Sequence, residues 1–422
     1  MTGLFWVGTF WPVCRTAARI GGAAAGWFAG LALLATPVFM GHGFINAKDL
    51  PFACTTAWLL MATVGCVLPP APLTWGRVVG LGLAFGAVLA VRPGGWFVGA
   101  LTMLPLLAHW SAFRRTPRVL WALAGFALTT WMISWLVMIA AWPSAHRSPV
   151  FHPIQSMLLA GKFNEVYPVL FKGASVPSNA LPWDYYLTYF GLTLPPFFVI
   201  ASLIGSVICV LALRKLETRW ASGAVLFVIW FPMLVFVVLR MNVYDGIRHF
   251  LFIIPALAVA AGIGAVTGVR HLPGSLRPAG ALVAALFFAS SLPSLIRLHP
   301  YQYCYFNVFA GERATIHERF ETDYWVTSYR EAAQWINGSD SDPRVVLAAN
   351  SFSIPAYEHF ASKETQLLQV MGDYRRSPWP DGADFYVATV RYGQFRNFES
   401  APVVRKIERG GILLSVIRGP RG

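Results

Sequence analysis

Five acidic residues precede His299: Asp49, Glu165, Asp184, Glu217 and Asp245. The stretch from His299 to Gly422 carries fourteen acids and fourteen Lys/Arg, so the formal net charge of +14 sits entirely on the first part. That part is otherwise almost wholly apolar. A carboxylate in such surroundings is expensive and is a functional candidate by default.

The polar residues fall in clusters. His42-Gly-Phe-Ile-Asn46-Ala-Lys48-Asp49-Leu-Pro51-Phe52 sets an amide, an ammonium and a carboxylate at a helix entrance, with Pro51 suited to the first turn. Asp49 reads there as a proton acceptor or as an N-cap, and Lys48 as a phosphate ligand or a headgroup contact. Val91-Arg92-Pro-Gly-Gly95 puts a cation in a tight turn. Arg92 either snorkels to the interface or meets phosphate oxygens bidentately. Asn242-Val-Tyr244-Asp245-Gly-Ile-Arg248-His249 gathers a hydroxyl, a base, a cation and a pH-sensitive ring, although Asp-Gly is also a plain turn signal. Leu181-Pro-Trp183-Asp184-Tyr185-Tyr186 and His299-Pro-Tyr301-Gln-Tyr303-Cys-Tyr305-Phe-Asn307 fit either an interfacial aromatic belt or sugar-stacking faces. Phe320-Glu-Thr-Asp323-Tyr-Trp325 is acidic and aromatic, placed to close over a site from above.

These residues suit a lipid-linked phosphorylated substrate whose chain lies in the bilayer. Asp49 and Asp245 are the candidate proton acceptors, Asp49 first, although cations and a helix N-terminus beside it make it a weak base. Lys48, Asn46, Arg92, Trp183, Tyr185, Tyr244, Arg248, His249, Tyr301 and Asp323 are the candidate substrate contacts. Arg248, Arg92 and Lys48 would stabilise a leaving phosphate while a carboxylate deprotonates an acceptor hydroxyl.

The elements that position these groups are membrane helices. A 422-residue chain that is 56% hydrophobic and 12% charged, with mean hydropathy +0.55, is an integral membrane protein. Its basic residues lie in short clusters between apolar runs, which points to membrane topology and away from a nucleic-acid groove. Ten stretches approach the ~20 residues that cross a bilayer: Gly3–Cys14, Gly22–Met40, Leu50–Leu68, Val78–Val91, Trp96–Ala112, Leu120–Trp142, Leu187–Leu213, Trp220–Leu239, Phe250–Gly268 and Ala279–Ile296. Alternate connections collect Arg15/Arg19, Arg77, Arg114/Arg115/Arg118, Arg214/Lys215/Arg219 and Arg270/Arg277 on one side, cytoplasmic by the positive-inside rule. Asp49, Glu165, Asp184, Asp245, the N-terminus and the tail then share the outer side, and Glu217 lies inside. Within the outer loop Pro143–Tyr186, Ile154–Phe163 fits an interfacial helix with Lys162 and Lys172 at the headgroups.

The expected fold is mainly α: a polytopic helical bundle of about ten spans over residues 1–297, followed by a small α/β domain over 298–422. In that domain Val326–Trp335 predicts a helix presenting Tyr329, Ala332, Ala333 and Ile336 on one face. Strands are predicted at Arg344–Ala349, Gln366–Met371 and Phe385–Val390, with a hairpin over Val403–Ile417 turning at Gly410-Gly411. The five cysteines have no CxxC spacing and imply neither a disulfide framework nor a metal site. No cofactor is indicated, and a divalent-metal requirement is left open.

At these clusters the sequence resembles the GT-C superfamily of membrane glycosyltransferases, nearest to family 39, the protein O-mannosyltransferases and lipid A aminoarabinose transferases. The stretches that carry the resemblance are Gly21–Phe52, Ala90–Gly95, Leu181–Tyr186, Tyr244–Phe250 and His299–Trp325. It implies transfer of a sugar, with inversion, from a polyprenyl-phosphate donor to an acceptor at the outer face of a bacterial inner membrane. Such enzymes carry an acidic residue in a first outer loop. Here the segment resembling their second helix comes first, and Asp49 falls in the stretch matching their second outer loop. One up-going helix is thus expected to be missing. The competing reading is a non-catalytic membrane protein, either a glycan-lipid transporter or an inactive partner of a transferase. A transporter should show repeated halves with broken helices, which the chain lacks. A third reading, a tethered enzyme acting through its tail, finds no nucleophile–base arrangement there.

Overall fold

The computed structural model describes residues 2–68, 73–112, 117–160, 165–339, 344–349 and 354–419. Its first part is helical: α1 Thr2–Gly21, α2 Ala23–Leu34, α3 Pro37–Ile45, α4 Asp49–Val67, α5 Trp75–Val91, α6 Met103–Ala112, α7 Pro117–Ala141, α8 Phe151–Ala160, α9 Tyr185–Thr193, α10 Pro196–Ala212, α11 Arg219–Leu239, α12 Ile254–Arg270, α13 Arg277–Ala289 and α14 Leu292–Arg297. A short hairpin, β1 Pro168–Phe171 with β2 Ala174–Pro177, interrupts them between α8 and α9.

The expectation of about ten full spans is corrected. Among the described residues five helical segments are long and apolar enough to cross a membrane: Asp49–Val67, Pro117–Ala141, Arg219–Leu239, Arg248–Arg270 and Gly274–Arg297. The α2–α3 pair, bent by 63°, makes a sixth if taken as one span. The break has a local cause. Thr36 is extended and Pro37, lacking an N–H, starts a new helix rather than continuing the old one. The stretch expected as Trp96–Ala112 is divided between a 3-10 segment Pro93–Thr102 and the short α6. α5 and α10 are apolar but only 17 residues long. Gly3–Cys14 runs on into a 20-residue α1 that carries Arg15 and Arg19.

α12 is the axis of the bundle, with every residue from Ile254 to Val266 buried. Small residues let its neighbours approach to backbone contact, the usual packing device where lipid removes the hydrophobic drive between helices. A Cβ at Gly205 of α10 would fall on the Ala260 carbonyl, and one at Gly262 on the Ala25 carbonyl of α2.

Two expectations in the loops fall partly outside the described residues. The helix expected at Ile154–Phe163 forms as α8, while Gly161–Phe163, with Lys162, lies outside them. Arg114 and Arg115 also lie outside. Arg19, Arg77, Arg270 and Arg277 do share one end of the bundle: the Arg270 guanidinium donates to the carbonyl of Gly21, at the end of α1, and Arg277 donates to the Arg270 carbonyl.

After α14 the chain folds back into the bundle. Tyr301, Tyr303, Cys304, Phe306, Ile316 (in the single turn α15 Ile316–Arg319), Phe320 and Tyr324 belong to the same apolar core as the helices. The tail then builds a mixed five-stranded sheet from β3 Arg344–Ala349, β4 Thr365–Val370, β5 Phe385–Thr389, β6 Val403–Arg409 and β7 Ile412–Arg418, in the order β4-β3-β5-β7-β6. β3 runs parallel to β4 and β5, while β7 is antiparallel to β5 and β6. The hairpin turns at Gly410-Gly411, both with positive φ. On one face α16 Tyr329–Asn337 buries Tyr329, Ala332, Ala333 and Ile336 against Val346, Val387 and Ile417, with α17 Ile354–Glu358 beside it. Period-two alternation sends Tyr386 and Ala388 to the opposite face. Ile412 and Leu414 of β7 reach the core of the bundle.

The close α10–α12 approach gives a direct test. Gly205→Val should destabilise the protein by roughly 1–3 kcal/mol or more, the cost of overpacking, seen as a lowered unfolding midpoint in detergent. Gly125→Val should leave the midpoint unchanged, because a Cβ there meets nothing within 4 Å.

Candidate active site

At one end of the bundle the helix breaks place charged groups side by side. The α3–α4 turn brings the Asn46 amide against Asp49: Nδ2 donates to Oδ2 at 2.8 Å, and Oδ1 accepts the Asp49 and Lys48 backbone N–H groups. Arg92, where Pro93 ends α5, forms an ion pair with the other oxygen of Asp49 and lies 5.7 Å from the Phe52 ring centroid. His42, one turn back on α3, meets Asn46 through Nδ1 and the Tyr324 hydroxyl through Nε2, at 3.0 and 3.1 Å.

The second half of the site is the turn between α11 and α12. Asp245 and Gly246 both take positive φ, about +60°, and the Tyr185 hydroxyl accepts the Gly246 N–H at 3.1 Å. The turn buries the Asp245 carboxylate between two guanidiniums, Arg248 at 3.0 Å and Arg391 at 2.8 Å. Arg248 also lies over the rings of Tyr244 (4.6 Å) and Trp325 (5.3 Å), and its Nε is 3.4 Å from Nε2 of His249. Arg391 comes from the tail, just after β5, and donates to the Tyr324 carbonyl at 2.7 Å.

Glu321 completes the cluster. Its Oε2 accepts the Asp245 N–H at 3.1 Å, and the Tyr189 hydroxyl accepts the Glu321 N–H. Burial pushes the Asp245 carboxyl up from its ordinary value, against the pull of Arg391 and Arg248. Burial and then the Asp245 charge push Glu321 up to about 8. Asp245 receives both guanidiniums, so the proton of the pair sits on Glu321. Lys48 is pulled below the usual lysine range, first by burial and then by the charges of Arg92 and Arg248.

A cleft of about 530 Å³ opens beside Glu321, bounded by the β1–β2 hairpin and the segment after β5. His317, Glu321, Thr322, Tyr324, Arg391 and Tyr392 are among its lining residues. Several buried donors in and around the site, Nε of Arg92, Nε1 of Trp325, the Tyr186 hydroxyl and Nε of Arg391, have no hydrogen-bond partner among the described residues.

The structure therefore brings Asn46, Lys48, Asp49, Arg92, Tyr244, Asp245, Arg248 and His249 together, with Tyr185 supporting the turn. It sets Trp183 and Tyr301 apart, and places Asp323 at the wall of the cleft with its carboxylate engaged in a turn. Trp183 is 67% exposed, next to the Lys172–Asp184 ion pair. The Tyr301 hydroxyl donates to Glu331 beneath Arg409. Asp323 is buried under Tyr303 and accepts the N–H groups of Thr327 and Ser328, the work of a turn that leads into α16. Sequence reasoning missed His42, Glu321, Tyr324 and Arg391. The first three lie inside the clusters quoted above, whereas Arg391 carries no local signal. Among the described residues no group of three or more His, Cys, Asp or Glu is placed to hold a metal ion.

The folded state holds the Glu321 proton more tightly than the unfolded chain, where glutamate titrates near 4.3. Its contribution to stability is therefore full below that value and is lost as pH rises towards 8. Glu321→Gln cannot ionise. It should flatten the decline of the unfolding midpoint between about pH 5 and 8. An unchanged slope would show that Glu321 is not the group responsible.

No protein-family model and no curated protein matches the sequence significantly. Among solved structures the chain is similar to ArnT from Cupriavidus metallidurans in the apo state, at 15% identity and a TM-score of 0.52, over 99% of this chain and 82% of that one. It is also similar to the archaeal oligosaccharyltransferase AglB from Archaeoglobus fulgidus in complex with an inhibitory peptide and a dolichol-phosphate, at 13% identity and a TM-score of 0.50. That match covers 92% of this chain and 58% of the other. At such identities the likeness is one of fold: the chain has an ArnT-like fold, shared with AglB.

Proposed function

We propose that this multi-pass membrane protein transfers a sugar from a polyprenyl-phosphate donor to an acceptor hydroxyl, at the outer face of a bacterial cytoplasmic membrane. The observation that carries the proposal is the surplus of cations and buried donors at one end of the bundle. Lys48, Arg92 and Arg248 lie close enough to perturb one another, and buried N–H and O–H groups around them have no acceptor among the described residues. Phosphate and sugar oxygens are acceptors of that kind. The AglB structure of like fold contains a dolichol-phosphate, a lipid of the same chemical class. The Lys/Arg bias towards the opposite end supports the choice of face.

In this scheme Arg248, Arg92 and Lys48 hold the donor phosphate and stabilise the charge that grows on the leaving oxygen. Asp49 keeps Arg92 in place, since its carboxylate is engaged by Arg92 and Asn46. The acceptor enters from the cleft and meets Glu321, whose raised value makes it a stronger base than an ordinary carboxylate. As the acceptor oxygen bonds to the anomeric carbon, the carbon–oxygen bond to phosphate breaks. The hydroxyl proton passes to Glu321, and polyprenyl phosphate departs. Asp245, neutralised by Arg248 and Arg391, joins the two halves of the site.

Undecaprenyl phosphate binding to the full chain in detergent tests the donor side. Arg248→Ala should weaken it roughly ten- to hundredfold, the worth of a charge-assisted buried contact, whereas Arg277→Ala at the far end should leave it unchanged. Equal binding by both variants, or none by the parent protein, would overturn the assignment. On the acceptor side, transfer should rise with pH up to about 8 as Glu321 ionises. Glu321→Gln should cost about 10²–10⁴ in rate and remove that limb. A Gln variant that keeps the limb would move the base elsewhere.

A further inference from the structure

The same two helices that carry Lys48, Asp49 and Arg92 at one end carry a second cationic pocket at the other. α4 and α5 flank there, with Arg19 of α1, a groove of about 290 Å³ lined by Trp58, Met61, Gly65, Arg77 and Gly80, among others. On α4 the lining positions Trp58, Met61, Ala62 and Gly65 share one helical face, and on α5 Arg77, Gly80 and Ala84 do the same. From the Gly65 level to Trp58 the groove runs about 10 Å along the helix. Gly65 lies about 24 Å from Asp49, so the two cationic levels are separated by nearly the thickness of a hydrocarbon core.

We propose that this groove is a specific site for an anionic phospholipid of the leaflet opposite the candidate active site. Arg19 and Arg77 would take its phosphate, and one acyl chain would lie against Ala62, Gly65, Gly80 and Ala84. Three features favour this occupant. Arg19 has no carboxylate partner among the described residues, and its guanidinium lies against Gly65, where any Cβ would collide with it. The remaining lining is apolar and runs towards the middle of the bilayer, which suits a lipid chain and gives a free phosphate nothing to contact. Trp58, its Nε1 donating to the Gly8 carbonyl at 3.0 Å, lines the end of the groove nearer Asp49. A zwitterionic headgroup would bring its own ammonium towards two guanidiniums, so an anionic one is favoured.

Native mass spectrometry of the full chain in mild detergent, titrated with phosphatidylglycerol or with phosphatidylcholine of the same chains, tests this. One phosphatidylglycerol should bind at least roughly tenfold more tightly than phosphatidylcholine. Arg19→Ala with Arg77→Ala should abolish the preference. Gly80→Leu should weaken binding of that lipid by filling the groove without disturbing the fold, because a Cβ at Gly80 meets nothing within 4 Å. Unchanged unfolding midpoints would establish that these variants are folded. Arg214→Ala, elsewhere among the basic loops, should bind as the parent does. Equal affinity for the two lipids would overturn the proposal, as would an equal effect of Arg214→Ala or inorganic phosphate competing fully at lipid-like concentrations. None of these readings depends on donor binding at the other end.

Discussion

The site depends on one buried carboxylate. Asp245 is 2% exposed and held between Arg248 of the bundle and Arg391 of the tail. A charge removed from water is tolerated only when it is paired and hydrogen-bonded, and losing one partner of a buried pair is costly. Asp245 can therefore stay ionised only while the sheet-bearing tail is seated on the bundle. Its place in a positive-φ turn supported by Tyr185 fixes where the two guanidiniums meet. Docking of the tail and arrangement of the cations are thus one event.

The same economy governs the other carboxylates. Asp49 is buried and matched by Arg92, with Asn46 completing its hydrogen bonds. Glu321 lies beside Asp245, and burial with that like charge outweighs the pull of Arg391 and Arg248 and favours its neutral form. The two neighbouring acids thus differ in their surroundings: Asp245 is paired with Arg248 and Arg391, and Glu321 is the proton carrier. Environments that push neighbouring acids apart in this way are what acid–base chemistry requires.

How much of this was legible depends on the range of the interaction. The sheet strands, the Gly410-Gly411 turn and the buried face of α16 were readable because alternation and helical spacing are local. The full spans were over-counted because composition does not show where a helix stops: Pro37 breaks the stretch Gly22–Met40, Trp96–Ala112 is partly 3-10 helix, and α5 and α10 end after 17 residues. Asn46, Asp49 and Arg92 were readable as polar groups at helix breaks. Arg391 was not, because it reaches Asp245 across 146 residues and sits in an ordinary basic tail. The residues Tyr301 and Tyr303 read as an interfacial belt or a stacking surface, yet the fold buries both in the core that joins the tail to the bundle. Aromatic composition cannot distinguish a platform from a core.

The excess of positive charge in the first part has two physical meanings, one at each end. At the end bearing Asp49 and Asp245 the arginines are counted against carboxylates, and buried donors without a partner among the described residues lie around them. At the other end Arg270 and Arg277 donate to carbonyls, and Arg19 and Arg77 line a largely apolar groove. A topology rule reads only the second population, since it counts basic loops without asking what the side chains face. The first becomes visible once carboxylates are counted as well. The scarcity of acids in the sequence is therefore the feature from which the location of the site follows.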